Sequence, residues 1–464
     1  MECIVNNYLF YRRHPEYSAN EAGWKHCKAA YTGGRAYIDQ ALIRHVSEID
    51  IEFTERRRRA YYFNYPRTIA QRITQYVLGV DPIRRNARGE LVEDWSRSGL
   101  RCNEVMRQLS TMLNVYGRAW LLVEMPNFEG IPTLERARRE RLRPYVRALS
   151  PLQVTDWAYA PDGKLLWALT AEEEFLNSDP YSPPVKLRRR RLYDRTSWHL
   201  FEQTSSGIKE IDSGINSTGT VPLVPVIEPD GYGIDSGHWF EDAVRISEAI
   251  LNNESEAQMN TVKQMFGMLV VSDSFARGAQ KLALAGSKSE NFSATVARSA
   301  AIIEAVEEKG ISRFISPSGV ETATIRSEND HLKRELYEIV GLAVQSRSRE
   351  NQSAESKAWD FQNVSQFLSA RADLLEQSEL EAWKIMHLYD LDVTVPEIHY
   401  NRKFAVRDLA AAISGIMQLS NLHLGPAYDR ALGHAATELL DSVEPIGNDD
   451  KQQIFNEINR KENV

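Results

Sequence analysis

The hydrophobic periodicity of this chain changes character twice along its length, and this change limits the folds that it can adopt. Apolar residues recur at helical spacing from about residue 20 to residue 115, in short β-branched or aromatic runs between 119 and 228, and at helical spacing again after 237. The first pattern is typical of helices and the second of strands. Because the strands are collected in the middle of the chain and do not alternate with helices, the sequence predicts an α+β fold.

Residues that end or begin helices mark the boundaries of the first helical stretch. Gly33-Gly34 predicts the end of a helix that starts near Asn20. Pro66 predicts the start of a second segment inside the run 52–78, because proline is tolerated in the first turn of a helix. Another helix is predicted over 98–115.

The middle of the chain carries the strand signals. The predicted strands are 119–125, 145–157, 165–175, 186–203 and 221–228. Farther along, a strand is predicted at 268–271, and a hairpin-like pair at 300–306 and 311–315.

Two long predicted helices enclose this later insert. The first, over about 237–266, has a polar stretch at 252–258. A helix with such a middle is not expected to be buried in a core; it bridges, or packs against copies of itself around water. The second is predicted over 320–344, and a polar loop at 345–355 joins it to another long helix.

The charge and cysteine content exclude some classes of protein. A net charge of −8 argues against tight, sequence-specific DNA binding, because a DNA-binding domain is basic over its footprint. Arginines cluster at 56–59, 136–143 and 188–191, and we interpret these runs as solvated faces or subunit contacts.

Three scattered cysteines indicate a reducing cytoplasm rather than a disulfide framework. No apolar run approaches the ~20 residues of a membrane span, and no signal-peptide pattern is present, so no membrane partner is expected.

Motifs for catalysis and cofactor binding do not occur in the sequence. The stretch nearest to a phosphate-binding loop, Ala285 to Ser289, lacks the first glycine, and Gly231, Gly233 and Gly237 have the wrong spacing for a dinucleotide site. The zinc-protease, Cys-x-x-Cys and nucleophile-elbow patterns are missing as well. The sequence therefore predicts a protein that is not an enzyme, with no catalytic residues, no metal site and no cofactor.

Several short motifs follow one another in a characteristic order. They are His14-Pro-Glu-Tyr17 with Gly23-Trp24 and Gly33-Gly34; Arg59-Ala-Tyr-Tyr-Phe-Asn64 followed by 73–79; Val115-Tyr-Gly-Arg-Ala-Trp-Leu-Leu-Val-Glu-Met-Pro126; Arg143-Pro-Tyr145 with Val154-Thr-Asp-Trp157; and Val221-Pro-Leu-Val-Pro225. In this order and spacing they resemble the portal proteins of tailed bacteriophages. The resemblance covers most of the chain, to about residue 390.

The resemblance implies a portal fold that divides the chain into named parts. These are an α/β wing (1–236), a stem helix (237–266), a small α/β clip (267–319), a returning stem helix (320–344), a tunnel loop (345–355), a long helix and short strand of the wing (356–401), and a helical C-terminal crown (402–464).

The resemblance also implies function and partners. It predicts a homo-oligomeric ring of twelve copies, assembled in the host cytoplasm and placed at the portal vertex of the virion capsid. Double-stranded DNA would pass through the ring during genome packaging and ejection, and terminase, then a head–tail adaptor, would dock on it beside the capsid protein.

Individual residues can be assigned to these expected roles. The residues expected nearest the DNA channel are Arg347 and Arg349 in the tunnel loop with Lys333 and Arg334 on the helix before it. An open alternative is that the two tunnel-loop arginines form ion pairs with Glu350 or Glu355. The residues expected to present the docking surface of the clip are Phe275, Arg277, Lys281 and Lys288.

Two other classes remain open from the sequence. One is a head–tail adaptor or scaffold component of the virion, although adaptors are usually much shorter and lack two long helices that flank an insert. The other is a nucleic-acid enzyme with an unrecognised metal site. Acidic pairs such as Glu241 with Asp242, or Asp449 with Asp450, could bind Mg²⁺, although a solvated surface is the favoured interpretation of both.

Overall fold

The structure is a computed structural model, and it describes most of the chain. The described residues are 2–126, 142–176, 180–181, 183–205, 207–228, 238–265, 268–272, 301–304, 313–315, 319–339, 354–402, 404, 417–419, 425–441 and 448–460. They fall into two units, Met1–Lys403 and Phe404–Val464, which are described separately.

Helices dominate the first quarter of the chain. They are α1 (Glu2–Tyr11), α2 (Pro15–Thr32), α3 (Arg35–Ala41), α4 (Asp50–Arg59), α5 (Tyr65–Val77), α6 (Gly89–Glu93) and α7 (Cys102–Tyr116). The predicted end of α2 is confirmed: Gly33, with φ of 65°, follows its last residue and its N–H bonds to the carbonyl of Ala29. The predicted break before Pro66 is also confirmed, since the side chain of Asn64 caps α5 by accepting from the N–H of Arg67.

Two antiparallel sheets follow. The first has the order β3-β2-β9, with β2 (Arg118–Glu124) between β3 (Tyr145–Leu149) and β9 (Leu223–Ile227). Every residue of β2 is buried, as its continuous apolar run predicts. The second is a five-stranded meander of β4 (Val154–Tyr159), β5 (Leu165–Leu176), β6 (Val185–Asp194), β7 (Ser197–Thr204) and β8 (Gly207–Ile215).

Two of the predicted strands are wrong in extent, because a local turn divides each of them. In 145–157, Pro151 begins a short 3₁₀ turn in which the N–H of Ser150 donates to Gln153, so β3 and β4 belong to different sheets. In 186–203, Asp194 accepts hydrogen bonds from the N–H groups of Thr196 and Ser197, which closes a tight turn between β6 and β7.

Both edge strands of the five-stranded sheet depart from a regular open edge. The N–H of His14 donates to the carbonyl of Thr155 on edge strand β4 at 2.9 Å. At the other edge, Leu200 pairs with Asp212 and Phe201 with Glu210, so Ile211 on β8 is left over as a β-bulge.

The second half of unit 1 contains the long helices. They are α8 (Trp239–Met265), α9 (Val320–Ile339) and α10 (Ala354–Tyr389). Between α8 and α9 lies a three-stranded sheet of β10 (Met268–Ser272), β11 (Ala301–Glu304) and β12 (Arg313–Ile315). The final strand of the unit, β13 (Glu397–His399), pairs with β1 (Ile83–Arg85) near the start of the chain.

The predicted hairpin between β11 and β12 is wrong. Both strands pair with β10, which is the central strand; β11 runs parallel to it and β12 antiparallel. The sequence of β10, Met-Leu-Val-Val-Ser, is strongly apolar, and the central position of a sheet suits such a strand best. Composition alone does not reveal which neighbour each strand takes.

Unit 2 contains α11 (Pro426–Asp441) and α12 (Asn448–Arg460), which pack together. The rings of His434 and Phe455 lie 4.4 Å apart, and a Cβ on Gly433 would meet Ile458 at 3.3 Å. The absence of a side chain at Gly433 therefore permits the close approach of the two helices.

Candidate functional site: the paired helices α8 and α9

Helices α8 and α9 pack against each other and run in opposite directions. Asn253 on α8 donates to Asn329 on α9 at 3.0 Å, and one groove is lined by both Met259 and Ile325. Residue numbers increase along α8 where those of the contacting residues on α9 decrease, so the two helices are antiparallel. The β10–β12 sheet lies between the two members of this antiparallel pair in the sequence.

The polar stretch of α8 is partly buried: Ser255 and Ala257 are buried, Glu256 is exposed, and the other four residues are half-buried. The prediction that this stretch is not buried is therefore wrong in part. Ser255 is 2% exposed, and Asn329 on α9 is fully buried. Asn329 donates to Glu254 at 2.8 Å and accepts from Asn253. On another side of α8, Asn252 donates to the carbonyl of Ala41 and accepts from the N–H of Ile43. Neighbouring segments thus supply the hydrogen bonds that water was expected to supply.

Arg56 lies at the centre of these contacts. Its side chain is 3% exposed, and Glu48 receives a two-pronged ion pair from Nε at 2.8 Å and from Nη2 at 2.7 Å. Nη2 also donates to the carbonyl of Ile43 and Nη1 to the hydroxyl of Ser255. The hydrogen bond from Arg56 holds the pKa of Glu48 below its usual value. The interpretation of 56–59 as one solvated run is therefore wrong for Arg56, while Arg57 to Arg59 are exposed.

The arginine run on β6 is engaged within the five-stranded sheet. Strand β6 pairs with β5 so that Arg188 and Arg189 face Glu173 and Glu172, and Arg189 also bonds to Glu202 on β7 at 2.8 Å. Alternating charges on neighbouring strands support the pairing of the strands. Of the third run, Arg143 bonds to Asp94 at 2.6 Å, and 136–141 lie outside the described residues.

Two buried carboxylates form ionic centres that the sequence did not indicate. Glu379 on α10 is fully buried and binds Arg84 through both oxygens, at 2.5 and 2.9 Å, while Tyr400 donates to it at 2.6 Å. Trp383 and Cys102 add weaker donors to the same carboxylate.

Glu124, at the end of β2, is the second centre. It accepts from Arg191 at 2.5 Å, from Tyr193 at 2.6 Å and from Tyr145 at 3.0 Å, and it lines a cavity of about 800 Å³. Burial alone would raise its pKa, but the charges of Arg147 and Arg191 outweigh burial and lower the pKa. Glu124 is therefore held as a paired anion, which makes it a poor general acid or base.

The residues predicted to contact DNA are only partly within the described structure. Lys333 lies one-third exposed on α9, with Nζ 3.2 Å from Asp330. Arg334 is exposed and donates to the backbone carbonyl of Asp330 at 3.3 Å. The other predicted residues lie outside the described residues: Arg347, Arg349, Glu350 and Glu355 side chains, and Phe275, Arg277, Lys281 and Lys288.

The described ranges carry neither a metal-binding cluster nor a membrane-spanning helix. These ranges contain no cluster of three or more His, Cys, Asp or Glu side chains that could hold a metal ion. None of the helices described is both long and apolar enough to cross a membrane. Cys27 and Cys102 are buried, and burial raises the pKa of the Cys27 thiol to about 12.

Comparison with solved structures finds only distant similarity. The sequence matches no protein-family model and no curated protein. Among solved structures, the chain is similar to one in an assembly described as "Neck of empty GTA particle computed with C6 symmetry". The TM-score is 0.36 and the identity 11%, over 84% of this chain and 88% of the other. At these values the likeness assigns neither a family nor a function to this chain.

Proposed function

We propose that this chain is a ring-forming structural protein of a virion, a subunit of a conduit and not an enzyme. Within that class we propose the portal protein of a tailed bacteriophage. The ring, of twelve copies as the sequence resemblance implies, would stand at one vertex of the capsid. Double-stranded DNA would enter through it during packaging and leave through it during ejection.

The order of elements around α8 and α9 is the observation that carries this proposal. Along the chain, the antiparallel helices α8 and α9 flank a three-stranded sheet of its own, and the 36-residue helix α10 follows. This order fits the stem, clip, stem and wing helix that the motif resemblance implies.

The proposed parts assign partners to regions of the chain. The clip, with Phe275, Arg277, Lys281 and Lys288, would dock terminase and later a head–tail adaptor. The tunnel loop and the end of α9 would lie nearest the DNA. A net charge of −8 per chain suits a conduit, because few strong phosphate contacts let DNA slide.

Electron microscopy of the purified full-length chain tests the proposal directly. We expect closed rings with an axial hole, and rotational averaging of end-on views gives the number of copies. Particles that remain monomers or dimers at micromolar concentration would contradict the proposal.

The same preparation distinguishes the alternatives. A closed ring with an axial hole, formed by the chain alone, supports the portal over a scaffold component. A metal-dependent nucleic-acid enzyme would cleave plasmid DNA when Mg²⁺ or Mn²⁺ is added. We expect no cleavage and no ATP hydrolysis that co-elutes with the protein, since packaging energy would come from the terminase.

A further inference from the structure

Strands β5 and β6 continue beyond their neighbours in the five-stranded sheet as a two-stranded ribbon. They pair with each other as far as Leu176 and Val185. Strand β4 pairs with β5 only up to Thr170, and β7 pairs with β6 only from Arg189 onward. Among the strands that the structure describes, none pairs with the outer edge of either strand past these points. We name this two-stranded part, residues 171–176 and 185–188, the ribbon.

The outer part of the ribbon is exposed to solvent. Phe175 and Val185 are 65% and 58% exposed, and the side chains of Glu173 and Arg188 are 55% and 56% exposed. A two-stranded hairpin alone is marginally stable in water, and an unpaired strand edge presents N–H and C=O groups that another strand can bind. The ribbon therefore gains stability when a further strand is added to it.

The two open edges of the ribbon lie on opposite sides. A strand forms its ladder hydrogen bonds along two lateral edges, and β5 and β6 each use one edge to pair with the other. The free edge of β5 is therefore turned away from the free edge of β6. A contact that closes into a ring needs two different surfaces of this kind on each subunit.

The two ribbon strands carry charges of opposite sign. The β5 strand contains Glu172, Glu173 and Glu174, whereas the β6 strand contains Lys186 and Arg188. Within one chain, Glu173 lies 2.7 Å from Lys186 and 3.6 Å from Arg188. Because Glu173 and Arg188 are both more than half exposed, each can take a second partner on the open side of its strand.

A second copy of the ribbon fits these edges, because β5 and β6 are already partners within the chain. Their antiparallel ladder places Glu173 opposite Arg188 and Phe175 opposite Lys186. If β5 of one copy lies beside β6 of another, the same cross-strand pairs form again. Acidic and basic strands then alternate across the contact, and opposite charges on neighbouring strands stabilise their pairing.

We propose that the ribbons of neighbouring copies pair, with the outer edge of β6 in one copy bonded to the outer edge of β5 in the next. Main-chain hydrogen bonds hold such an added strand, and the side chains select the partner. The inference rests on the proposed function, because a ring gives every copy one neighbour on each side.

Cysteine cross-linking between two separate chains tests the contact. One chain carries Glu173→Cys and the other Arg188→Cys, so a disulfide between the introduced cysteines can form only between copies. We expect an oxidised equimolar mixture to give at least about tenfold more covalent dimer than either chain alone, because opposed residues on paired strands lie within disulfide distance. The unaltered chain, in which Cys27 and Cys102 are buried, gives the background.

A charge substitution at the ribbon gives an independent measurement. Phe175→Lys with Val185→Lys should weaken assembly at least about tenfold in mass photometry, since lysine on a strand edge opposes strand addition. The matched control is Ile211→Lys with Ile215→Lys, which adds the same charge at exposed positions of β8 and should leave rings unchanged. Thermal unfolding curves that match wild type establish that each variant is folded, and Phe175→Lys alone serves where the double variant is not.

Hydrogen exchange distinguishes strand pairing from contact through side chains alone. The amides of the ribbon should exchange more slowly in wild-type rings than in the dissociated Phe175→Lys, Val185→Lys variant, because the added strand binds the backbone. Exchange at the same rate in both would overturn the pairing of strands.

The outcomes separate this inference from the proposed function. Wild-type rings that neither cross-link through positions 173 and 188 nor weaken on lysine substitution overturn the inference and leave the proposed function standing. A wild-type chain that stays monomeric overturns both. Filaments in place of rings, cross-linked through the same two positions, support the ribbon contact and contradict the ring. Equal loss of assembly in the Ile211→Lys, Ile215→Lys control shows that the effect is not specific to the ribbon, which overturns the inference.

Discussion

The ion pairs Arg84–Glu379 and Arg56–Glu48 have similar two-pronged geometry but lie in different surroundings. Arg84 and Glu379 are 5% and 0% exposed and stand 295 positions apart in the sequence. Arg56 and Glu48 are 3% and 11% exposed and only eight positions apart. The first pair joins β1 to α10 in the interior, whereas the second fixes the shape of one surface loop. Ion pairs of the same geometry therefore stabilise the whole fold in one place and the conformation of a single loop in the other.

The largest effect is expected from Glu379→Ala. The substitution leaves Arg84 buried without its counter-charge and also removes the acceptor of Tyr400 and Trp383. We expect the free energy of unfolding in urea to fall by about 3–5 kcal/mol. Glu381→Ala is the control, because Glu381 is half exposed and forms a surface ion pair with Lys384; it should change stability by less than about 0.5 kcal/mol. Equal losses of unfolding free energy in the two variants would contradict the role of Glu379 as a buried ionic centre.

A smaller loss is expected from Arg56→Ala, because Glu48 lies close enough to the surface to regain water. We expect unfolding to be easier by about 2 kcal/mol, the cost of losing charged hydrogen bonds. Hydrogen exchange should rise at the amides of 43–48 and stay unchanged around Glu379. Arg58→Ala, which removes an exposed neighbour on the same helix, should do neither. A uniform rise in exchange over unit 1 would mean that Arg56 supports the whole fold.

Asn329→Ala tests the polar interface of α8 and α9. The side chain is fully buried and bonds to Asn253 and Glu254, so we expect a loss of about 1–2 kcal/mol. Ser327→Ala, on the exposed side of α9, should be close to neutral. The measurement is chemical denaturation of both variants beside wild type. A neutral Asn329→Ala would imply that the buried network contributes no stability.

The smallest effect concerns pH. The pKa of Glu48 is lower in the folded chain than the ordinary 4.5, so the folded state binds fewer protons than the unfolded state. The stability that Glu48 contributes is present above pH 4.5 and is lost as pH falls through the lower folded pKa. Glu48→Gln should therefore be less stable than wild type at neutral pH, and the difference should shrink below pH 4.5. A constant difference across this range would contradict the assignment.

The sequence predicted much of the backbone, and the reasons are local. Proline and asparagine at the start of α5, glycine after α2, and the unbroken apolar run of β2 act within a few residues. Strand β8 was missed because Gly-Ile-Lys-Glu-Ile-Asp-Ser-Gly-Ile carries no sustained alternation.

The candidate site was harder to predict because its polar residues are satisfied by distant segments. Asn252, Ser255 and Asn329 look solvated in sequence, and only the fold supplies their partners. A signal for Arg56 was present, since Phe53 and Ala60 stand at helical spacing on either side of it and belong to one hydrophobic cluster. Because Arg56 is the first of four consecutive arginines, the run was interpreted as a solvated face or subunit contact and the inward position of Arg56 was missed.

The two edges of the five-stranded sheet have a consequence for the chain at high local concentration. An open edge strand can recruit a strand from another molecule and start uncontrolled aggregation. Here the N–H of His14 occupies an acceptor on β4, and the bulge at Ile211 interrupts the regular ladder that β8 would offer. Both features disfavour the addition of a strand from another molecule at these two edges of the sheet.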